Sequence, residues 1–163
     1  MSNSERMIMR VILVSCGALS LALGVSGAGG CASSRSGEHA VKNPVRYFEI
    51  PVTDMDRAMR FYASVFGVDF ERTPIDGNDM ALFPFDAAAS GITGALAKGE
   101  SYKPGRQGVR IYFSVDDIDT TLARANAAGG RTLYPKTSIG ELGWVAEFED
   151  SEGNYIAIHA DAD

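Results

Sequence analysis

The chain has 163 residues, of which 45% are hydrophobic, and its formal net charge is −6 with a pI near 4.9. This length and apolar content suit one compact domain with its own core plus an extension. No run of five or more basic residues occurs, which argues against nucleic-acid binding through phosphate contacts.

Residues 1–30 have the pattern of an export signal. Arg6 and Arg10 precede an uncharged run over residues 11–30 that ends at Cys31. A positive start, an apolar stretch and small residues at the end are the parts of such a signal. The sequence Ala-Gly-Gly-Cys before and at Cys31 looks like a lipoprotein cleavage box, which predicts lipidation of Cys31. Five glycines make the run a poor permanent membrane helix.

Other interpretations of this segment stay open: an ordinary signal cleaved near Ala28, an uncleaved anchor, or a start codon assigned too early. The expected organisation is a signal over residues 1–30, a tether over 31–43 and a domain over 44–161. The expected location is the cell envelope, lipid-anchored or periplasmic, or the cytoplasm if the start is wrong. Membrane contact is expected only through the N-terminal lipid or anchor. Both cysteines lie in the signal region, so no disulfide is expected in the domain.

The first half of the domain reads as a strand, a helix and about three further strands. Residues 45–52 alternate, with Tyr47 and Glu49 on one face and aliphatic or Phe side chains on the other. Asp54 or Thr53 is a candidate N-cap of the helix, and Gly67 ends it. The remaining strands are predicted over residues 69–73, 79–85 and 92–97, and a hairpin turn over residues 76–78.

The second half repeats the first. Residues 109–130 match residues 45–67 at an offset of 63, so that Asp117 corresponds to Asp54 and Gly130 to Gly67. The modules are expected over about 44–98 and 109–161, joined by a polar linker. A helix is predicted from about residue 118 to the glycines at 129–130. Strands are predicted over 131–134, 144–149 and 155–160, with a long loop over 135–143 that carries Lys136 and Glu141.

In each strand one face is aliphatic or Phe and the other is mixed. Helices are expected to cover the apolar face, so the mixed faces would line a shared cavity. The residues expected on this inner face are Tyr47, Glu49, Met80, Leu82, Arg110, Tyr112, Glu147, Tyr155, Ala157 and His159.

The repeat, together with the segments FEIPVTDMDRAMRFYASVFG, IYFSVDDID and AEFEDSEGNYIAIHA, resembles the vicinal oxygen chelate superfamily. This superfamily includes glyoxalase I, bleomycin-resistance proteins, extradiol dioxygenases and methylmalonyl-CoA epimerase. The resemblance implies an α+β fold of two paired β-α-β-β-β modules curving round a cavity. It also implies a homodimer.

Enzymes of this superfamily place metal ligands on the first and last strands of each module. The resemblance puts those positions at Tyr47, Ala95, Arg110 and Ala157. Alanine cannot ligate, and an arginine keeps its charge and repels a cation. The expectation is therefore that the metal site is absent and that the protein has no cofactor. An ion held elsewhere, by Glu49, Glu147 and His159 together, is a less favoured alternative.

Three ionisable groups of the inner face, Glu49, Glu147 and His159, are candidate catalytic residues because carboxylate and imidazole suit proton transfer. Arg110 suits an anionic or carbonyl-bearing ligand, because its guanidinium forks onto oxygen pairs. The other expected ligand-binding residues are Tyr47, Met80, Tyr112 and Tyr155. A network in which each Glu merely pairs with Arg110 or a Tyr hydroxyl stays equally open.

Three functions compete at this point. The first is metal-independent binding of a small molecule, as in the bleomycin-resistance branch that the resemblance suggests. The second is a lyase or isomerase of the glyoxalase I type that uses the inner-face carboxylates. The third is a non-catalytic envelope lipoprotein.

Overall fold

The structure is a computed structural model that describes residues 44–162. The predicted signal, the lipidation site Cys31 and the tether lie outside the described residues. The chain from Tyr47 onward forms one compact unit. No helix within residues 44–162 combines the length and the apolar character needed to cross a membrane.

The first module contains four strands and one helix. They are β1 (Tyr47–Pro51), α1 (Met55–Phe66), β2 (Glu71–Ile75), β3 (Asn78–Leu82) and β4 (Thr93–Lys98). The second module repeats this order with β5 (Tyr112–Ser114), α2 (Ile118–Ala127), β6 (Arg131–Ser138), β7 (Trp144–Glu149) and β8 (Tyr155–Ala160). A short 3-10 helix, Gly140–Leu142, joins β6 to β7.

Each module forms a four-stranded mixed sheet, in the orders β1-β4-β3-β2 and β5-β8-β7-β6. The first and last strands of each module run parallel, and the other pairs are antiparallel. The predicted α+β fold of two β-α-β-β-β modules is confirmed.

The strand registers show the same repeat. In the first sheet Ala95 lies between Glu49 and Leu82. In the second sheet Ala157 lies between Tyr112 and Glu147. The offsets read from the sequence therefore align equivalent positions in space.

Both helices begin as the sequence predicts. The Asp54 carboxylate accepts a hydrogen bond from Arg57 N at 3.0 Å, and Asp117 accepts one from Thr120 N at 2.6 Å. These contacts satisfy amide groups that have no partner inside the helix. Gly67 ends α1 with a φ of 68°, a conformation that glycine adopts without strain.

The segment over residues 135–143 differs from its prediction as a loop, because β6 continues through it to Ser138. Two register irregularities interrupt the pairing of β6 with β7, so its side chains do not alternate regularly. β6 is also an edge strand, where Pro135 can sit without removing a hydrogen bond from the sheet. Lys136 forms an ion pair with Asp119, 2.9 Å away, and lies over the Trp144 ring.

One hydrophobic core lies between the helices and the outer faces of both sheets. Aromatic rings join the modules within it. Phe66 of α1 stacks on Phe113 of β5 with ring centroids 4.5 Å apart, and Phe48 meets Phe113 edge-on at 5.6 Å. Such pairs are each worth about 1 kcal/mol beyond the area that they bury.

The β7–β8 turn fastens the second module to the first, through a contact here called the Glu152 clamp. The Glu152 carboxylate accepts hydrogen bonds from Thr53 N at 2.9 Å and Asp54 N at 3.1 Å, and it pairs with Arg57 Nε at 2.7 Å. Its side chain is fully buried. The positive end of α1 and the Arg57 charge both favour a carboxylate here. They lower the pKa of Glu152 to about 2 against the opposing effect of burial.

A buried aspartate organises the same turn. Asp150 is 4% exposed and accepts hydrogen bonds from Tyr62 OH at 2.7 Å and from Asn154 Nδ2 at 2.9 Å. Asn154 Nδ2 also donates to the carbonyl oxygen of Pro51 at 2.9 Å. Burial raises the pKa of Asp150, and these donors oppose the shift. The sequence Glu-Asp-Ser-Glu-Gly-Asn is therefore a joint between modules.

Candidate functional site

Three of the predicted inner-face residues form one network on the second sheet, here called the Arg110 network. Arg110 Nη1 lies 2.7 Å from Glu147 Oε1, and Tyr155 OH donates to Glu147 Oε2 at 2.8 Å. The guanidinium carbon of Arg110 also lies 4.0 Å from the centroid of the Tyr155 ring. The hydrogen bond to Glu147 raises the pKa of Tyr155.

The strand register explains why these residues meet. Alternate residues of β8 share a face, which places Tyr155, Ala157 and His159 on the same side. Glu147 of β7 pairs with Ala157, and Arg110 lies two residues before the first residue of the short strand β5. The Glu147 side chain is 11% exposed, whereas that of Arg110 is 41% exposed. The carboxylate is thus satisfied beneath a guanidinium that still reaches solvent.

A second cluster lies on the first sheet. Tyr102 OH donates to Glu49 Oε2 at 2.6 Å, and this contact is the main reason that the pKa of Tyr102 rises to about 12. Burial, followed by the charge of Glu49, raises the pKa of Tyr47 to about 12. Glu49 therefore sits between two phenols that remain protonated at neutral pH.

Tyr102 was not among the predicted site residues, because it lies in the segment predicted only as a polar linker between the modules. The linker is instead attached at several points. Gly105 N donates to Asn154 Oδ1 at 3.0 Å, and Arg106 forms an ion pair with Glu149. The one available signal was a single aromatic residue within a polar stretch.

The linker closes a cavity of about 220 Å³ between the two modules. Its lining includes Glu49 from the first module, Tyr155 from the second, and Lys103 and Val109 from the linker. Members of both inner-face clusters therefore border one space.

His159 lies apart from this space. Its Nε2 donates to the carbonyl oxygen of Leu142 at 2.7 Å, and Nδ1 lies 4.0 Å from Asp161. Within residues 44–162 no hydrogen bond joins it to Glu49. The predicted catalytic residues Glu49 and His159 thus have different hydrogen-bond partners, Tyr102 and Leu142.

The remaining inner-face residues differ between the sheets. Met80, predicted to bind ligand, is 2% exposed, and Leu82, Ala95 and Ala97 are equally buried. Tyr112 of the second sheet is 51% exposed. The second sheet thus carries a strongly exposed aromatic ring on the same face as its charged network.

The residues present do not fit the metal site that the fold family implies. Among residues 44–162, no group of three or more His, Cys, Asp or Glu side chains is placed to hold an ion. Glu147 is engaged by a guanidinium and a phenol, and both Ala95 and Ala157 lack a donor atom. A divalent ion at this position would stand beside the Arg110 charge.

The chain is similar to known proteins along most of the domain. Residues 45–158 match the profile of the Glyoxalase/Bleomycin resistance protein/Dioxygenase superfamily. A glyoxylase-like domain-containing protein from Didymella fabae is 32% identical over 115 residues, which cover 68% of this chain and 88% of that protein.

Two solved structures resemble the fold. TnmS3, described as an antibiotic binding protein from Streptomyces sp. CB03234, is 25% identical with a TM-score of 0.56; the match covers 76% of this chain and 98% of that one. A glyoxylase/bleomycin resistance protein/dioxygenase domain from Frankia sp. EAN1pec is 20% identical with a TM-score of 0.59, covering 76% and 95%. By its profile match and its fold, this chain belongs to the glyoxalase/bleomycin resistance protein/dioxygenase superfamily.

Proposed function

We propose that the domain binds a small organic molecule bearing a carbonyl or carboxylate group, without a metal ion, at the Arg110 network. The observation that carries this proposal is the half-exposed guanidinium of Arg110, fixed at 2.7 Å from Glu147 and stacked on Tyr155. A guanidinium has five N–H donors, and one carboxylate uses only part of them.

The arrangement favours recognition of oxygen atoms by hydrogen-bond geometry. Glu147 already balances the charge of Arg110, so net charge attracts a ligand only weakly. The two contacts hold the guanidinium plane in place, which lowers the entropy lost when a ligand binds. Tyr112 supplies an exposed ring beside it, and an aromatic face suits a planar ligand. The similarity to TnmS3, an antibiotic binding protein, supports a small organic ligand.

The test is a thermal-shift screen of the purified domain, in the presence of a chelator, against aldehydes, thiol adducts and aromatic antibiotics. A ligand that binds the folded state alone raises the melting temperature. Arg110→Lys should abolish the shift, because an ammonium cannot fork onto two oxygens. Arg131→Lys is the matched control, since Arg131 also pairs with a glutamate of β7 but lies outside the network. Equal shifts in the two variants would contradict the proposal.

Acid–base chemistry by Glu49 is the second candidate function. Its carboxylate borders the cavity between the modules and accepts a hydrogen bond from the neutral phenol of Tyr102. Glu147, in contrast, is paired with a guanidinium. Once a substrate is known, Glu49→Gln should abolish turnover while binding persists; full activity in that variant would exclude this function.

We also propose that the domain is held in the cell envelope by a lipid on Cys31 and that it forms a homodimer. The Ala-Gly-Gly-Cys sequence supports lipidation, and the resemblance to the superfamily supports a homodimer. Labelling of cells with a fatty-acid analogue should mark the wild type and not Cys31→Ser. Sedimentation of residues 44–163 should give a dimer; a monomer at micromolar concentration would contradict this part.

A further inference from the structure

A second cavity, of about 420 Å³, lies on the helix side of the sheets and is here called the α2 pocket. Its apolar wall comes from both modules and includes Phe66, Phe83 and Phe113. The start of α2 gives the polar rim Asp116, Asp117 and Thr120, and the last turn of the helix adds Arg124. Phe113 and Tyr112 are neighbours on β5 and point to opposite faces, so this pocket is separate from the Arg110 network.

The internal repeat shows what occupies the equivalent space beside α1. Phe61, which corresponds to Arg124, packs its ring against Phe148 with centroids 6.0 Å apart. The same ring leaves no room on Gly130, because a Cβ added there would lie 2.9 Å from Phe61 Cε2. The Glu152 clamp fills the polar end of that space. In the first module, then, an aromatic ring and a charged group close the site.

The pocket of the second module has no counterpart of the Phe61 ring or of the Glu152 carboxylate among its lining residues. Arg124 replaces the aromatic ring with a flexible chain that is exposed to solvent. The β3–β4 connection, which corresponds to the turn carrying Glu152, contributes Phe83 to the lining but no carboxylate. The stacked rings of Phe66 and Phe113 therefore border an open pocket. A ligand that replaced both missing groups would be one aromatic ring with a polar group attached.

The sign of that polar group follows from two substitutions between the repeats. Asp116 stands where the first module has Thr53, and Thr120 stands where it has Arg57. The groups that hold an anion in the Glu152 clamp are thus replaced by a carboxylate and a hydroxyl. Hydrogen bonds from Thr120 lower the pKa of Asp117, so this second carboxylate is charged at neutral pH. Among the lining residues, the carboxylates of Asp116 and Asp117 outnumber the one basic side chain, Arg124. Lys136 also acts on Asp117 from outside the lining, but Asp119 pairs with it. The balance of charge at the rim favours a cation.

We propose that the α2 pocket binds a small aromatic amine. The ring lies against Phe66 and Phe113, and the ammonium group lies between Asp116 and Asp117. A volume of about 420 Å³ falls within the usual range of small-molecule sites, about 300–1,000 Å³. Offset or edge-on contacts with two phenylalanine rings favour binding of an aromatic group over an aliphatic group of equal size. Nothing in this argument depends on the Arg110 network.

The first test compares phenylethylamine with phenylpropionate by calorimetric titration and by amide NMR shifts. The two probes share the ring and a similar chain length but carry opposite charges. We expect the amine to bind, with shifts concentrated in residues 113–124, and the acid to bind at least tenfold more weakly. Equal or tighter binding of the acid, or shifts confined to the Arg110 network, would overturn the proposal.

The second test refills the pocket by imitating the first module. Arg124→Phe should abolish binding of phenylethylamine and raise the melting temperature, because the new ring occupies the space as Phe61 does. Arg60→Phe is the matched control on α1, an exposed position outside the lining, and should bind as the wild type does. Unchanged binding in Arg124→Phe would overturn the proposal.

A third variant keeps the test independent of how the new ring packs. Asp116→Asn removes one charge at an exposed position and should weaken amine binding about tenfold, as loss of a charge-assisted hydrogen bond does. The Arg110→Lys variant should leave amine binding unchanged. Wild-type affinity in Asp116→Asn would place the ammonium elsewhere and contradict the assignment.

Discussion

The two modules share one chain path but differ at the start of their helices. In the first, the Glu152 clamp and the Phe61 ring fill the space beside α1. In the second, Arg124 leaves the corresponding space open. The inner faces differ as well, since the first sheet buries Met80 and small residues whereas the second carries the Arg110 network. The same chain path therefore carries buried fastening contacts in the first module and more exposed polar side chains in the second.

The largest effect on stability should come from breaking the clamp. Glu152→Ala leaves two backbone N–H groups and Arg57 without their shared acceptor, so unfolding free energy should fall by about 3 kcal/mol. Urea denaturation measures it. Asp119→Ala removes an exposed ion pair with Lys136 and should cost less than about 1 kcal/mol. Equal losses would mean that the clamp does not distinguish the modules.

The Asp150 joint should give the next largest effect. Tyr62→Phe removes a donor from a carboxylate that is 4% exposed, and the expected loss is about 2 kcal/mol of unfolding free energy. Tyr112→Phe alters an exposed ring and should stay within about 0.5 kcal/mol of the wild type. Thermal unfolding of both variants checks the difference. A Tyr62→Phe variant as stable as the wild type would show that the other hydrogen-bond donors are sufficient for Asp150.

The clamp should also make stability depend on pH in a defined window. The folded-state pKa of Glu152 is about 2, below its ordinary value of 4.5. Its contribution is therefore fully present above pH 4.5 and is lost as the pH falls towards 2. The difference in unfolding free energy between wild type and Glu152→Gln should shrink across that range. A constant difference would contradict the lowered pKa.

The smallest effect concerns the first sheet alone. Glu49→Gln removes the charge that accepts the Tyr102 hydrogen bond, so the pKa of Tyr102 should fall from about 12 towards 10. Ultraviolet titration of phenolate absorbance measures the shift. Tyr155 serves as an internal comparison, because its pKa is raised through Glu147 instead. An unchanged pKa of Tyr102 would show that Tyr102 of the linker does not donate a hydrogen bond to Glu49.

The sequence predicted those features that depend on local or periodic patterns. The caps Asp54 and Asp117 sit where the helices begin, and the repeat offsets align Ala95 with Ala157 in the two sheets. The alternation of side chains also predicted that Arg110, Glu147 and Tyr155 share one face. It did not predict which of these residues are in contact.

Features made by residues far apart in the chain were missed. Glu152 contacts Thr53 across 99 positions, and Tyr102 contacts Glu49 across 53. No spacing rule links such pairs, because the turn and the linker that carry them have no period. The α2 pocket is a related case, since its lining includes Arg124, which stands where the first module has Phe61.

Metal independence and the role of Arg110 can be tested together. A calorimetric titration of the strongest ligand from the screen, with chelator present, should show binding to the wild type that is lost in Arg110→Lys. Binding that appears only after a divalent ion is added, or that survives the substitution unchanged, would contradict the account.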